Sequence, residues 1–325
     1  MPLADRSMTV VHLNPHAAVG VAAARGPHVW AVASGKGGVG KSLISSSLGL
    51  ALSRLGKRVV LVDLDLGGAN LHTCLGVADP KLTLSGFISS GQQQINDFIQ
   101  PVPETKLGLI SGADDGLEIA NLKHFQKQKI LRNLSHIDAD YVILDLGAGT
   151  SFNTLDFFIR AERGIVTVVP DPTSIENTYR FLKSVLIRRL REAPEQTRKF
   201  VNRVLSTRRD EQKKIRTLAA LMNALQQLHP DHARQLQDVF DRQKLHVIVN
   251  QVIEPTDTEL GSSMAMVCGK YFGQKLDYLG YLNHDRHIMA ATRQRRPLMM
   301  AYPQSRSAIH LEHMAAALLD RDQRI

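Results

Sequence analysis

Cysteine is nearly absent from this chain: of 325 residues only Cys74 and Cys268 are cysteines. They lie far apart and in no metal-ligand spacing, which excludes a disulfide framework and a cysteine metal site. We read them as two buried or half-buried thiols in a reducing compartment. Long apolar runs are missing too, so no transmembrane helix is expected. The alanine-rich run at residues 16–24 is short and broken by Gly20, and a strand and a glycine-rich loop follow at once. It is therefore not a secretory leader, and residues 1–27 read as a mobile N-terminal tail. Internal repeats and low-complexity segments are absent. The thirteen histidines form no metal-ligand motif, and His284 and His287 read as surface residues.

What is present is an ordinary globular composition, 43% apolar and 22% charged. The length suits one large domain, or one domain carrying an insertion. Apolar runs rich in Val, Ile and Leu recur at 29–33, 58–63, 107–110, 141–144, 164–169, 245–249 and 278–280. They show no polar alternation, as expected of strands buried on both faces. Helical segments are expected at 41–55, 117–134, 154–160, 174–191 and 307–319. The fold class that follows is α/β, a mostly parallel central sheet flanked by helices. The domain is expected to span 28–320, followed by a short tail at 321–325. Within it, residues 191–243 break the alternation and read as a helical insertion, with helices at 218–228 and 232–242.

The net charge of +9 is concentrated. Between Arg188 and Arg216 eleven Arg and Lys face four acids, a local net of +7. Three readings stand for this stretch: a solvated helix face, contact with DNA phosphates, or docking of a partner protein. Phe200 and Phe240 are the only aromatics between Arg188 and Gln243, which argues against stacking on single strands.

The chemistry is carried first by Gly35-Lys36-Gly37-Gly38-Val39-Gly40-Lys41-Ser42, which satisfies G-x-x-x-x-G-K-[ST] between a strand and a helix. Glycines let the backbone curl so that successive N–H groups face phosphate oxygens, and the helix opening at Lys41 adds its positive end. Lys41 is expected on the β- and γ-phosphates and Ser42 on Mg²⁺. The nucleotide-binding set runs from Gly35 through Leu43. Two strands then end in acids: VVLVDLDLGGANLH carries Asp63, Asp65 and Asn70, and YVILDLGAGTS carries Asp145 and Gly149. Carboxylates at strand ends beside such a loop suit a magnesium hydration shell and an attacking water. Ser42, Asp65 and Asp145 are the candidate metal set, a choice among these acids that follows from the family resemblance given next.

SGKGGVGKS, with its second lysine, resembles the Walker motif of the MinD/ParA ATPases. The resemblance implies that Lys36 reaches across an ATP-sandwiched homodimer to the partner's nucleotide. VDLDLGGANLH is similar to switch I of the MinD branch, above all its flagellar-number (FlhG-like) regulators. That implies a water-positioning role for Asp65 and a switch role for Asn70. LDLGAGTS resembles switch II, implying that Asp145 is the Walker B acid and that the Gly149 amide senses the γ-phosphate. PDPTSIENTYRFLK resembles the family's P-x-P-T-S-I helix start. VIVNQV places Asn250 where the family has an adenine-reading asparagine, and YLNHD places Asp285 at the nucleotide rim.

Taken together, the resemblance implies a slow, partner-stimulated Mg²⁺-dependent ATPase. It would dimerise on ATP and regulate or position a cytoplasmic, polar or nucleoid-associated structure, flagellar number or placement first among them. The alternative is a ParA-like partition ATPase that binds DNA non-specifically through the basic segment. The missing C-x-x-C argues against an iron–sulfur relative, and the filled catalytic positions argue against a dead site. Three departures bear on partners. No amphipathic helix follows the last expected core helix, so stable membrane anchoring there is not expected. The short N-terminal motif with which FlhG-like proteins stimulate a GTPase partner is not found. Asn283 stands where the rim segment usually has proline.

Overall fold

A computed structural model describes residues 26–91, 94–112, 122–207 and 217–323. The expected N-terminal tail thus lies almost wholly outside the described residues. Strands without polar alternation need cover on both faces, and that is how they are placed. β1 (His28–Ala33) and α1 (Lys41–Arg54) are followed by β2 (Val59–Leu64), α2 (Leu71–Cys74) and α3 (Leu84–Ser89). Next come β3 (Gln100–Pro101), β4 (Leu107–Ile110), α4 (His124–Asn133), β5 (Tyr141–Leu146), α5 (Phe152–Arg160), β6 (Arg163–Val168) and α6 (Pro172–Leu190). β2, β5 and β6 are buried along their whole length. The remainder comprises α7 (Glu195–Thr207), α8 (Leu218–Leu228), α9 (Pro230–Asp241), β7 (Lys244–Val252), α10 (Leu260–Val267), β8 (Leu276–Asn283), α11 (Arg286–Arg293), α12 (Leu298–Ala301) and α13 (Arg306–Gln323).

The sheet has eight strands in the order β3-β4-β2-β5-β1-β6-β7-β8. All neighbours run parallel except β3 and β4. Alternate strand residues feed opposite faces. Ala31 and Ala33 join a core with Phe157, Phe158 and Phe181 under α5 and α6. Trp30 and Val32 join one with Ile44, Leu48 and Leu311 under α1 and α13. β3 escapes sequence reading because it is two residues long and includes Pro101, which only an edge strand tolerates.

Three expectations change. The helix expected at 117–134 is described only from His124, since residues 113–121 lie outside the described set. Residues 191–243 hold three described helices, where composition indicated two. Their apolar faces build a separate core of Leu186, Ala193, Val201, Leu221, Leu225, Leu236 and Phe240. The expected tail at 321–325 is corrected as well, because α13 runs on to Gln323. Its last turn is held from inside: Asp322 accepts from buried Arg163 through Nε at 2.7 Å and through Nη2. Arg163 Nη1 also lies 3.0 Å from His246 Nε2. Arginine only donates, so that nitrogen of His246 is the bare one. Burial, then the Arg163 charge, pushes the His246 pKa down to about 3, which keeps the ring neutral. Among the described residues no helix is long and apolar enough to cross a membrane.

Candidate nucleotide-binding site

Every parallel strand that carries a motif delivers it to the same, carboxyl edge of the sheet, where open α/β sheets bind ligands. The glycine-rich loop leaves β1 and curls through Gly38 and Gly40, whose φ angles of 76° and 93° are left-handed. α1 then opens on Lys41 with no side-chain cap, so its first amides remain turned to the loop's concave side. Gly35 is required by packing: a Cβ there would fall 2.2 Å from the Asn177 carbonyl carbon of α6. The loop backbone therefore rests directly on that helix. Beside the loop lies a cavity of about 440 Å³ lined by Gly38, Gly40, Lys41, Ser42, Leu43, Asp65, Asn70, Asn250 and Asp285, among others. The structure thus brings together most of the residues singled out from the sequence.

The acids divide their work. Asp63 and Asp145 are register partners on β2 and β5, and both are buried, at 0% and 1% exposure. Asp63 accepts from the backbone amides of Asp65 at 3.1 Å and Leu71 at 3.2 Å, and so ties down both ends of the 65–71 loop. This role was missed in the sequence, where Asp63 looked like one more strand-end acid. Asp145 Oδ1 accepts from the Ser45 hydroxyl at 2.9 Å, while Oδ2 is buried with no hydrogen-bond partner among the described residues. Burial, then the Asp145 charge, pushes Asp63 up to about 8. Burial pushes Asp145 up to about 6, against the pull of the Ser42 and Ser45 hydroxyls and Lys41. A solitary buried carboxylate oxygen beside Ser42 and a phosphate-binding loop fits a divalent cation, which would satisfy that oxygen. Asp65 stands at the mouth, partly exposed, and Asn70 donates to the Gly68 carbonyl at 2.7 Å within the same loop.

Comparison with known proteins agrees with this geometry. The family described as "ParA: NUBPL iron-transfer P-loop NTPase" matches residues 26–185. The antiactivator FleN of Pseudomonas aeruginosa is 25% identical over 290 residues, 88% of this chain and 84% of FleN. The flagellum site-determining protein YlxH of Helicobacter pylori is 34% identical over 158 residues, 47% of this chain and 52% of YlxH. Among solved structures, the septum site-determining protein MinD of Pyrococcus horikoshii, complexed with Mg-ADP, superposes with a TM-score of 0.60 at 19% identity. It covers 90% of this chain and 96% of that one.

The chain belongs to the ParA/MinD family of P-loop NTPases. With that settled, four family-implied positions need restating from the structure. The Lys36 ammonium is engaged within its own chain, 2.8 Å from Asp171 Oδ2 and 2.7 Å from Thr173 Oγ1 at the start of α6. The Lys36 bond, then that of Thr173, holds the Asp171 carboxyl down at about 2. The Gly149 amide donates to the Ser34 carbonyl at 2.9 Å, so the expected phosphate sensor is committed to the loop. Asn250 also grips the loop, donating to the Val39 carbonyl at 2.8 Å. Asp285 is the N-cap of α11 and is hydrogen-bonded to His287 and Ser307.

The basic segment changes character too. Arg188 makes two bonds to Asp156, at 2.6 and 2.8 Å. Arg189 is buried and donates to the Phe240 carbonyl and to Gln243. Lys199 pairs with Glu195. Residues 208–216, which hold five of the eleven charges, lie outside the described residues. Asp171 and Thr173 lie in the segment that resembles the family's P-x-P-T-S-I helix start, but only the fold shows that they meet Lys36.

Proposed function

We propose that the chain is an ATP-driven switch. It binds Mg-ATP in the cavity beside the glycine-rich loop, dimerises in that state, and resets by hydrolysing ATP to ADP and phosphate. The carrying observation is the pairing of a P-loop with two lysines and a buried Asp145 whose free oxygen suits a cation. Bound magnesium would supply charge neutralisation on the β- and γ-phosphates, held by Ser42 and Asp145 and, through its water shell, Asp65. Lys41 neutralises phosphate charge from within the loop. Asp65, at the mouth, is placed to orient the attacking water. Positioning and electrostatics are the whole of this catalysis, as expected for phosphoryl transfer.

Lys36 is the dimer's element in this reading. In the single chain Asp171 and Thr173 hold it; in the dimer it exchanges them for the partner's nucleotide. FleN and YlxH, named for antiactivation and for flagellum site determination, support flagellar number or placement as the process controlled. A regulatory protein that stimulates hydrolysis is part of the proposal, as is a cytoplasmic, polar or nucleoid-associated setting. The decisive experiment is Asp65→Ala. ATP binding persists, hydrolysis slows by about 100-fold or more, and dimer accumulates with ATP in light scattering. Only monomer with ATP would overturn the sandwich.

The partition reading has less support, because Arg188 and Arg189 are already engaged. It predicts an ATP-dependent shift of non-specific DNA that weakens steeply with salt. The switch reading predicts none through these two residues.

A further inference from the structure

The ends of β7 and β8 form one side of the cavity beside the glycine-rich loop. Val249 pairs with Tyr281 and Val252 with Asn283, so β7 carries one extra residue opposite β8. This is a bulge, which re-aims the side chains around it. Gln251 takes the bulge with a left-handed φ of 58°. Asn250 is left 2% exposed, donating to the Val39 carbonyl and accepting from the Gln251 amide, each at 2.8 Å. Its two polar ends are both committed to shaping the loop. Gln251 also lines the cavity, and its Nε2 is engaged with the Gly38 carbonyl at 3.3 Å. Asp285 is committed as well: Oδ1 accepts from the amide and ring of His287, and Oδ2 from the Ser307 hydroxyl.

One amide remains. Asn283 lines the same cavity beside Ile288, Met289 and Thr292, and its side chain makes no hydrogen bond among the described residues. We propose that Asn283 selects the base, accepting from the exocyclic amine of adenine and donating to N7 beside it, an edge on which hypoxanthine and guanine offer only acceptors. A carboxamide carries one acceptor and one donor group side by side, the complement of that edge. Ile288 and Met289 give the ring its apolar wall. The assignment rests on the nucleotide-site reading above and deepens it, making the site selective for adenine over hypoxanthine and guanine.

The test is competition of ADP, IDP and GDP, with Mg²⁺, against a fluorescent ADP analogue on the full chain. IDP keeps the ring system and the diphosphate but has an oxygen in place of the amine. The parent binds ADP more tightly than IDP. Asn283→Ala lowers ADP affinity about fivefold, to the level of IDP, the worth of a hydrogen bond or two. Asn283→Asp, which only accepts, meets the N7 acceptor of every purine, so all three nucleotides weaken and the preference does not pass to GDP. An ADP/IDP ratio unmoved in both variants overturns the assignment. So does an equal loss for all three nucleotides in Asn283→Ala, or a ratio that moves with Gln251→Ala instead. Lys41→Ala separates the two levels: if it binds ADP as well as the parent does, the nucleotide-site reading itself falls. Lost binding there, with an unmoved base ratio in the Asn283 variants, removes Asn283 alone.

Discussion

The residue that most constrains this site is one the sequence makes look ordinary. Asp63 and Asp145 face each other from paired strands, and burial favours the protonated form of both. In the unfolded chain both ionise in the ordinary carboxylate range. Between that range and about pH 8 the folded state therefore holds more protons. Stability is fully present at the acid end of this window and falls as pH rises through it. The unliganded protein should melt higher at pH 5 than at pH 8. Asp63→Asn, which cannot ionise, should flatten most of that slope in thermal scans while loosening the 65–71 loop. Mg-ADP should also flatten it, since a cation on Asp145 replaces the proton. Lys41→Ala should weaken ATP binding by about 100-fold and abolish the dimer, read by equilibrium binding and light scattering. The loop residues were legible because their spacing is dictated by phosphate geometry. Asp63, Asp171 and Gln251 were not, because each acts through a contact with a segment distant in sequence or through backbone geometry.

At the scale of elements, seven of the eight strands were readable. A strand covered on both faces has to be apolar throughout, and the run of Val, Ile and Leu carries that requirement openly. α2, α3, α7, α10, α11 and α12 were not foreseen. Nor was the last turn of α13, whose polar DRDQ composition looks like a tail. It folds because Asp322 meets Arg163, whose side chain is 2% exposed. Asp322→Ala leaves a buried guanidinium without its carboxylate and should cost about 3 kcal/mol or more in chemical denaturation. Arg163→Met combined with Asp322→Leu should recover much of that loss, because the pair's desolvation cost goes with it. Had the contact been a surface pair, both changes would be nearly silent.

For the whole molecule, the family and the fold class were visible in the sequence, whereas the contacts that hold Lys36 were not. Lys36 was read as reaching to a partner, and the single chain holds it at home. Asp171→Asn should weaken that hold. Dimerisation with ATP should then begin at lower protein concentration, by less than about tenfold because the pair is exposed. Sedimentation across a concentration series would show it, and an unchanged midpoint would mean that the contact is incidental. The basic stretch illustrates the opposite limit. Charge counted along a chain says nothing of which arginines are already satisfied, and Arg188 and Arg189 are.

The contact at Gly35 reaches furthest. Because that residue lacks a side chain, the phosphate loop and α6 touch backbone to backbone, with nothing compressible between them. α6 has 19 residues and is therefore a strut of about 28 Å. Its near end bears on the loop, and its far end, at Leu186, is built into the separate core of α7–α9. A displacement of the loop should therefore bear on α6, and through it on a core that contributes nothing to the lining of the nucleotide cavity.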